Sequence, residues 1–198
     1  MSGVSAHEAQ SNSLGLSNDK LGVWTFIGSD CLFFGALIST YLIYVGRFND
    51  SEATPELYEI PFTSVSTFIL LMSSLGMVLA LAAAQEGDWR TFRTWILGTA
   101  LMGSVFLAGQ IYEFTVFAAE GMVFGTSPFT SSFFLLTGFH GIHVTIGVLM
   151  LVILWTRSMV GKLGDDEVDA IENVGLYWHF VDIVWIVLFT VVYLIPAE

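Results

Sequence analysis

Charge is scarce in this 198-residue chain, of which 12% is Asp, Glu, Lys or Arg, about half the ~25% of a soluble domain. Basic residues are scarcer still, six against eighteen acids. Cysteine occurs once, as Cys31, which excludes an intrachain disulfide and any zinc-type cysteine cluster. The start, MSGVSAHEAQSNSLGLSNDK, lacks the basic residues and short apolar run of a secretory signal, and residues 1–20 are expected to form a mobile tail. The net charge of −12 is no footprint for a cationic partner. Acids fall on both sides of the apolar segments, and Asp165, Asp166, Glu167 and Asp169 read as a solvated loop. Nothing points to nucleic acid.

What the chain has instead is apolar length. It is 55% hydrophobic, with a mean hydropathy of +0.73. Five windows carry few or no charges, at about 22–46, 62–85, 94–118, 132–156 and 175–195. Each is long enough to cross a ~30 Å hydrocarbon core as a helix. Too little polar sequence is left to cover five such helices in water. The expected fold is all-α, an integral membrane bundle of five transmembrane helices over 21–198. Short connections predict an up-and-down arrangement. Lys20, Arg90, Arg93, Arg157 and Lys162 fall on one side of the alternating connections and only Arg47 on the other. That asymmetry places the N-terminus in the cytoplasm and the C-terminus outside. Gly138, Gly141 and Thr145 are spaced to let helices approach closely. Trp24, Trp95, Trp155 and Tyr193 lie where an interfacial aromatic belt would.

Six ionisable residues remain inside the spans: Asp30, Glu113, His140, His143, His179 and Asp182. A charged Asp at a helix centre costs roughly 2.5–3.5 kcal/mol on insertion scales, so such groups are expected to face inward and find partners. Two pairs, HGIH at 140–143 and HFVD at 179–182, each put two candidate metal ligands on one helical face. Depth argues against one shared centre. At ~1.5 Å per residue, Asp30, His179 and Asp182 come out about 8–13 Å from the cytoplasmic edge, and His143 and His140 about 20–24 Å from it. Glu113 falls near the outer edge, where a solvated carboxylate and a buried one are both open readings. Carboxylate-bridged metal bundles repeat Glu-x-x-His, and Glu113 is followed by Phe114, Thr115 and Val116. Structural hydrogen bonding between helices is the simplest reading of the six, with a proton-linked role second. Asp30 lies too deep for its short side chain to reach surface water, and its expected partners are His179 and Asp182.

The segments taken in order are GVWTFIGSDCLFFGALISTY, IPFTSVSTFILLMSS, GQIYEF, FFLLTGFHGIHVTIGVLML and GLYWHFVDIVWIVLFTVVYLI. Together they resemble subunit III of the haem–copper respiratory oxidases, over roughly residues 21–195. The chain is similar to the short, five-helix bacterial type, found in both cytochrome c oxidases and bo-type quinol oxidases. Many members have glutamate where this sequence has Asp30, and short bacterial members also carry Asp. The resemblance implies a multi-pass subunit of the bacterial plasma membrane with no redox centre of its own. It implies haem and copper in partner subunits I and II, packing against subunit I, bound phospholipid, and support of sustained proton-coupled oxygen reduction. The alternative is a membrane redox enzyme using its own His/carboxylate metal or haem site. A third class, a small proton-coupled carrier, is disfavoured by the odd helix count and the lack of an inverted repeat.

Overall fold

Hydrocarbon offers no partner for backbone amides, so an apolar span satisfies them internally as helix. The computed structural model describes residues 18–52, 60–164 and 167–194, with backbone alone for 46–52. Among the described residues it contains five long helices and no strand: α1 (Asn18–Glu52), α2 (Ile60–Gln85), α3 (Trp89–Ala119), α4 (Pro128–Met159) and α5 (Val168–Phe189). A single π-helical turn, Thr190–Leu194, prolongs α5. All five are long and apolar enough to cross a membrane. Most of the expected tail, and the side chain of Arg47, lie outside the described residues, whereas Asn18–Lys20 already belong to α1.

The turns follow from local chemistry. Gly87, at φ +72°, lets the chain reverse after α2. Asp88 then caps α3 by accepting from the Arg90 and Thr91 amides and from the Thr91 hydroxyl. Those bonds, the Thr91 hydroxyl foremost, hold its carboxyl below the usual carboxylate range. At α4, Ser127 and Thr130 form a reciprocal capping box ahead of Pro128.

The helices are not arranged as a simple row. α2 packs on α3, α3 on α4, α4 on α5, and α5 returns to α2, closing a four-helix ring. α1 stands outside it, with its main contacts to α4 and α5 rather than to its sequence neighbour α2. In the most apolar stretch of α1 only 11% of residues are buried, against 33–50% in the other four helices.

Glycines decide where the ring closes tightly. A Cβ at Gly147 or Gly103 would stand 2.6 Å from the Trp178 ring, so α3 and α4 clamp that indole through bare backbone. Gly141 meets the Gln110 side chain, with 2.7 Å to a would-be Cβ, but Gly138 faces open space and brings no helix close. Tyr193 also departs from expectation. It is 7% exposed and turned into the bundle rather than standing in an interfacial belt, because its hydroxyl donates to Glu113.

Among the residues whose side chains are described, the basic ones collect at one end. Lys20 at the start of α1 pairs with Glu172 on α5 at 2.6 Å. Arg93 near the start of α3 donates from Nε to Ser158 Oγ near the end of α4 at 2.9 Å. Arg157 pairs with Glu167, tying the end of α4 to the start of α5.

Candidate functional site

The polar residues inside the bundle form separate groups, each joining particular helices. Between α2 and α5 runs an antiparallel register of side-chain bonds. Trp178 Nε1 donates to Ser73 Oγ at 3.0 Å. Next to it, Ser74 Oγ and His179 Nδ1 are hydrogen bonded at 2.7 Å. Two turns further along α5, Trp185 Nε1 donates to Thr67 Oγ1 at 2.9 Å. The partners step back along α2 as α5 advances, as antiparallel neighbours must. Asp182 lies within this register, 3% exposed. The Ser74 hydroxyl stands beside it, yet neither carboxyl oxygen completes a bond to protein.

A second group joins α1 to α4. His143 Nε2 lies 3.1 Å from Asp30 Oδ2, a pairing distance whose alignment falls short of a hydrogen bond. His143 Nδ1 is 2.7 Å from the Phe139 carbonyl. A carbonyl only accepts, so Nδ1 carries a proton. Tyr177 on α5 donates to the His143 carbonyl at 2.9 Å, drawing the third helix in.

The partners expected for Asp30 were His179 and Asp182, and the geometry corrects that. Those two residues face α2, on the far side of α5 from α1. Depth along a helix does not say which face a side chain presents. His179 is turned to Ser74 on α2, whereas α1 packs on α4 and α5 and so meets His143.

His140 is enclosed by rings. It is fully buried and stacked on Trp185 at 4.9 Å and 26°, with Phe106 edge-on at 5.9 Å. Neither ring nitrogen has a hydrogen-bond partner. Glu113, the residue with two open readings, is buried at 6% exposure. Thr63 donates to its Oε1 at 2.5 Å and Tyr193 to its Oε2 at 3.4 Å. Gln110, which the sequence did not single out, donates to the Thr137 carbonyl at 2.7 Å and ties α3 to α4.

Among the described residues no three His, Cys, Asp or Glu side chains converge as a metal site. The donors are dispersed among different helix pairs. Beside His143, between α1, α4 and α5, lies a groove of about 760 Å³. Phe26, Ile146 and Met150 contribute apolar walls, and Asn18, Asp19 and Asn173 give it polar groups at the end where α1 and α5 begin.

The register generates a test. Ser73→Ala would leave the buried Trp178 N–H without its acceptor, a loss of about 0.6–1.7 kcal/mol for interhelical bonds in membranes. Stability of the solubilised protein should fall accordingly. Combining it with Trp178→Phe should cost less than the two single changes summed. Strict additivity in that double-mutant cycle would show the bond to be energetically idle.

The sequence matches the profile of the family described as cytochrome c oxidase subunit III over residues 4–196. It is 38% identical over 177 residues to cytochrome c oxidase subunit 3 of Bacillus sp. (strain PS3), covering 89% of this chain and 86% of that one. With probable quinol oxidase subunit 3 of Staphylococcus saprophyticus it shares 36% over 178 residues, 89% of each chain. With cytochrome bo(3) ubiquinol oxidase subunit 3 of Pseudomonas aeruginosa it shares 36% over 184 residues, 91% of this chain and 86% of the relative.

Proposed function

The chain belongs to the cytochrome c oxidase subunit III family, and from that membership we propose that it is the non-catalytic partner of a haem-bearing subunit I. It is a multi-pass bacterial membrane protein and a subunit of a terminal oxidase complex. On the proposed reading it packs against subunit I, with subunit II also in the complex. Haem and copper reside in those chains, and this one sustains proton-coupled oxygen reduction without handling electrons.

The observation that carries the reading is the dispersal of the intramembrane donors. Asp30 is matched to His143, His179 to Ser74, and Glu113 to Thr63 and Tyr193. Asp30, His143, His179 and Glu113 are thus engaged in joining helices rather than gathered at one point. The groove between α1, α4 and α5 supports bound phospholipid, since apolar walls suit acyl chains and polar groups at one end suit a headgroup. The purified complex is expected to contain this chain together with a large haem-bearing subunit. Removing this chain selectively should take no iron or copper with it. A stable isolated chain carrying stoichiometric iron would favour the alternative redox enzyme.

The proposed orientation puts the end bearing Lys20, Arg93 and Arg157 in the cytoplasm, as the positive-inside tendency requires. A reporter fused after Glu198 should then be active only outside. Cytoplasmic activity would reverse the orientation.

Asp30 gives the functional test of the pairing. Asp30→Ala deprives His143 Nε2 of its partner between α1 and α4, at a cost of about 1–3 kcal/mol for a buried group left unmatched. Haem content and initial oxygen-reduction rate should be nearly unchanged, while retention of this chain or activity over many turnovers declines. The measurements are haem absorbance, initial rate and rate decay in the variant complex. Immediate haem loss would assign Asp30 a ligand role, and unaltered retention and decay would make it a tolerated polar residue.

A further inference from the structure

Arg93 is held at one nitrogen and open at the others. Its Nε donates at 2.9 Å to Ser158 Oγ, and Ser158 is buried at 3% exposure. That bond crosses from α3 to α4 and fixes the plane of the guanidinium. Among the described residues its terminal Nη groups make no hydrogen bond or ion pair. They are not among the buried, unmatched atoms, so they reach the surface. Lys20 and Arg157 differ, each being paired with a glutamate.

The level of Arg93 follows from both helices. α3 has 31 residues, or ~46 Å at about 1.5 Å per residue, close to the ~40–45 Å of a bilayer with its headgroups. Arg93 stands about 6 Å along α3 from its start at Trp89, where headgroups meet hydrocarbon. Ser158 agrees from the other side, next to the last residue of α4. This end also calls for an anion. Arg90 lies one turn before Arg93, and the first turn of α3 holds no acid. A helix N-terminus carries partial positive charge, which disfavours cations there unless an anion joins them. The Asp88 carboxyl is engaged by the Arg90 and Thr91 amides and the Thr91 hydroxyl. Deeper in the membrane the surface turns apolar. Leu97 and Leu101 follow Arg93 at four-residue steps along α3, Val152 lies on α4, and all three are exposed. Trp155, one turn before Ser158, is half-buried.

We infer that Arg93 binds the phosphate of an anionic phospholipid at the α3–α4 edge, its Nη groups on the phosphate oxygens and an acyl chain over Leu97 and Leu101. A guanidinium fork matches phosphate geometry, and Ser158 sets its plane in advance. The site is separate from the groove between α1, α4 and α5, whose lining includes none of these residues. It requires only that the helices span a membrane, so it does not depend on the proposed contact with subunit I.

The test is photolabelling of the purified complex with phosphatidylglycerol carrying a photoreactive acyl chain. Labels should fall on α3 and α4 around Leu97 and Val152. Unlabelled phosphatidylglycerol should displace the probe better than phosphatidylethanolamine, and equal displacement would overturn the inference. Arg93→Gln should lower labelling there roughly tenfold, the loss of one hydrogen bond to a charged group. Arg93→Lys keeps the charge without the fork and should fall between Arg93→Gln and the unaltered chain. Ser158→Ala keeps the arginine but frees its plane, and should weaken labelling about threefold, the size of an average interhelical membrane hydrogen bond. Undiminished labelling in Arg93→Gln sinks the site, and if that variant fails to assemble, undiminished labelling in both others does the same. Labelling that appears only after the other subunits are stripped away would give this face to a protein partner and overturn the lipid site.

Discussion

The order of the helices in this bundle depends on one constraint: a polar group inside hydrocarbon gains from a partner supplied by the protein. The stretch YWHFVDIVWIVLF meets it with α2, which supplies Ser73, Ser74 and Thr67 to Trp178, His179 and Trp185. Apolar packing alone discriminates weakly between helix neighbours in lipid, because lipid tails are as apolar as leucine. A row of hydroxyls facing a row of indole and imidazole nitrogens does discriminate. Sliding α5 by one turn would break three bonds together. The register therefore fixes which helix lies beside α5 and at what height.

Close packing then follows from the same residues. Trp178 can bond to Ser73 only if its ring lies between α3 and α4, and Gly103 and Gly147 make that room. The ring of four helices is thus closed around an indole that is both polar anchor and apolar filler. α1 is attached differently, by the Asp30–His143 pair in the membrane and by Lys20–Glu172 at one end. With so little of its surface buried and a groove beneath it, α1 is the element least determined by the chain's own core.

Much of this was legible in the sequence, and the failures have physical causes. Five helices follow from five apolar windows, because length and hydropathy alone set membrane crossing. Of the six ionisable span residues, Asp30, Glu113, His140 and Asp182 are buried as their cost in lipid requires, whereas His143 and His179 are part-exposed. The identity of partners was not legible. Asp30 was expected to meet His179 and Asp182, because depth along a helix leaves open which face a side chain presents. His179 is turned to Ser74 on α2, while α1 joins α4 and α5 rather than α2. Tyr193 was read as interfacial from its position near a span end, but the carboxyl of Glu113 gives its hydroxyl a reason to turn inward. Gln110 escaped notice because an uncharged amide raises no alarm in a hydropathy profile.

The same placement keeps apart, among the described residues, the donors that a metal centre would gather. A metal centre needs several donors from facing helices at one level. Here His143 points to α1, His179 to α2, and Glu113 to Thr63 and Tyr193, while His140 is walled in by Trp185, Phe106 and Phe34. Bringing His143 and His179 together would break the contacts that they make to α1 and α2. The paired polar residues are committed to specifying neighbours. That commitment gives a subunit of a terminal oxidase complex a reason to keep histidines and carboxylates in its membrane core. They hold the helices in register where apolar contact alone would let them slide.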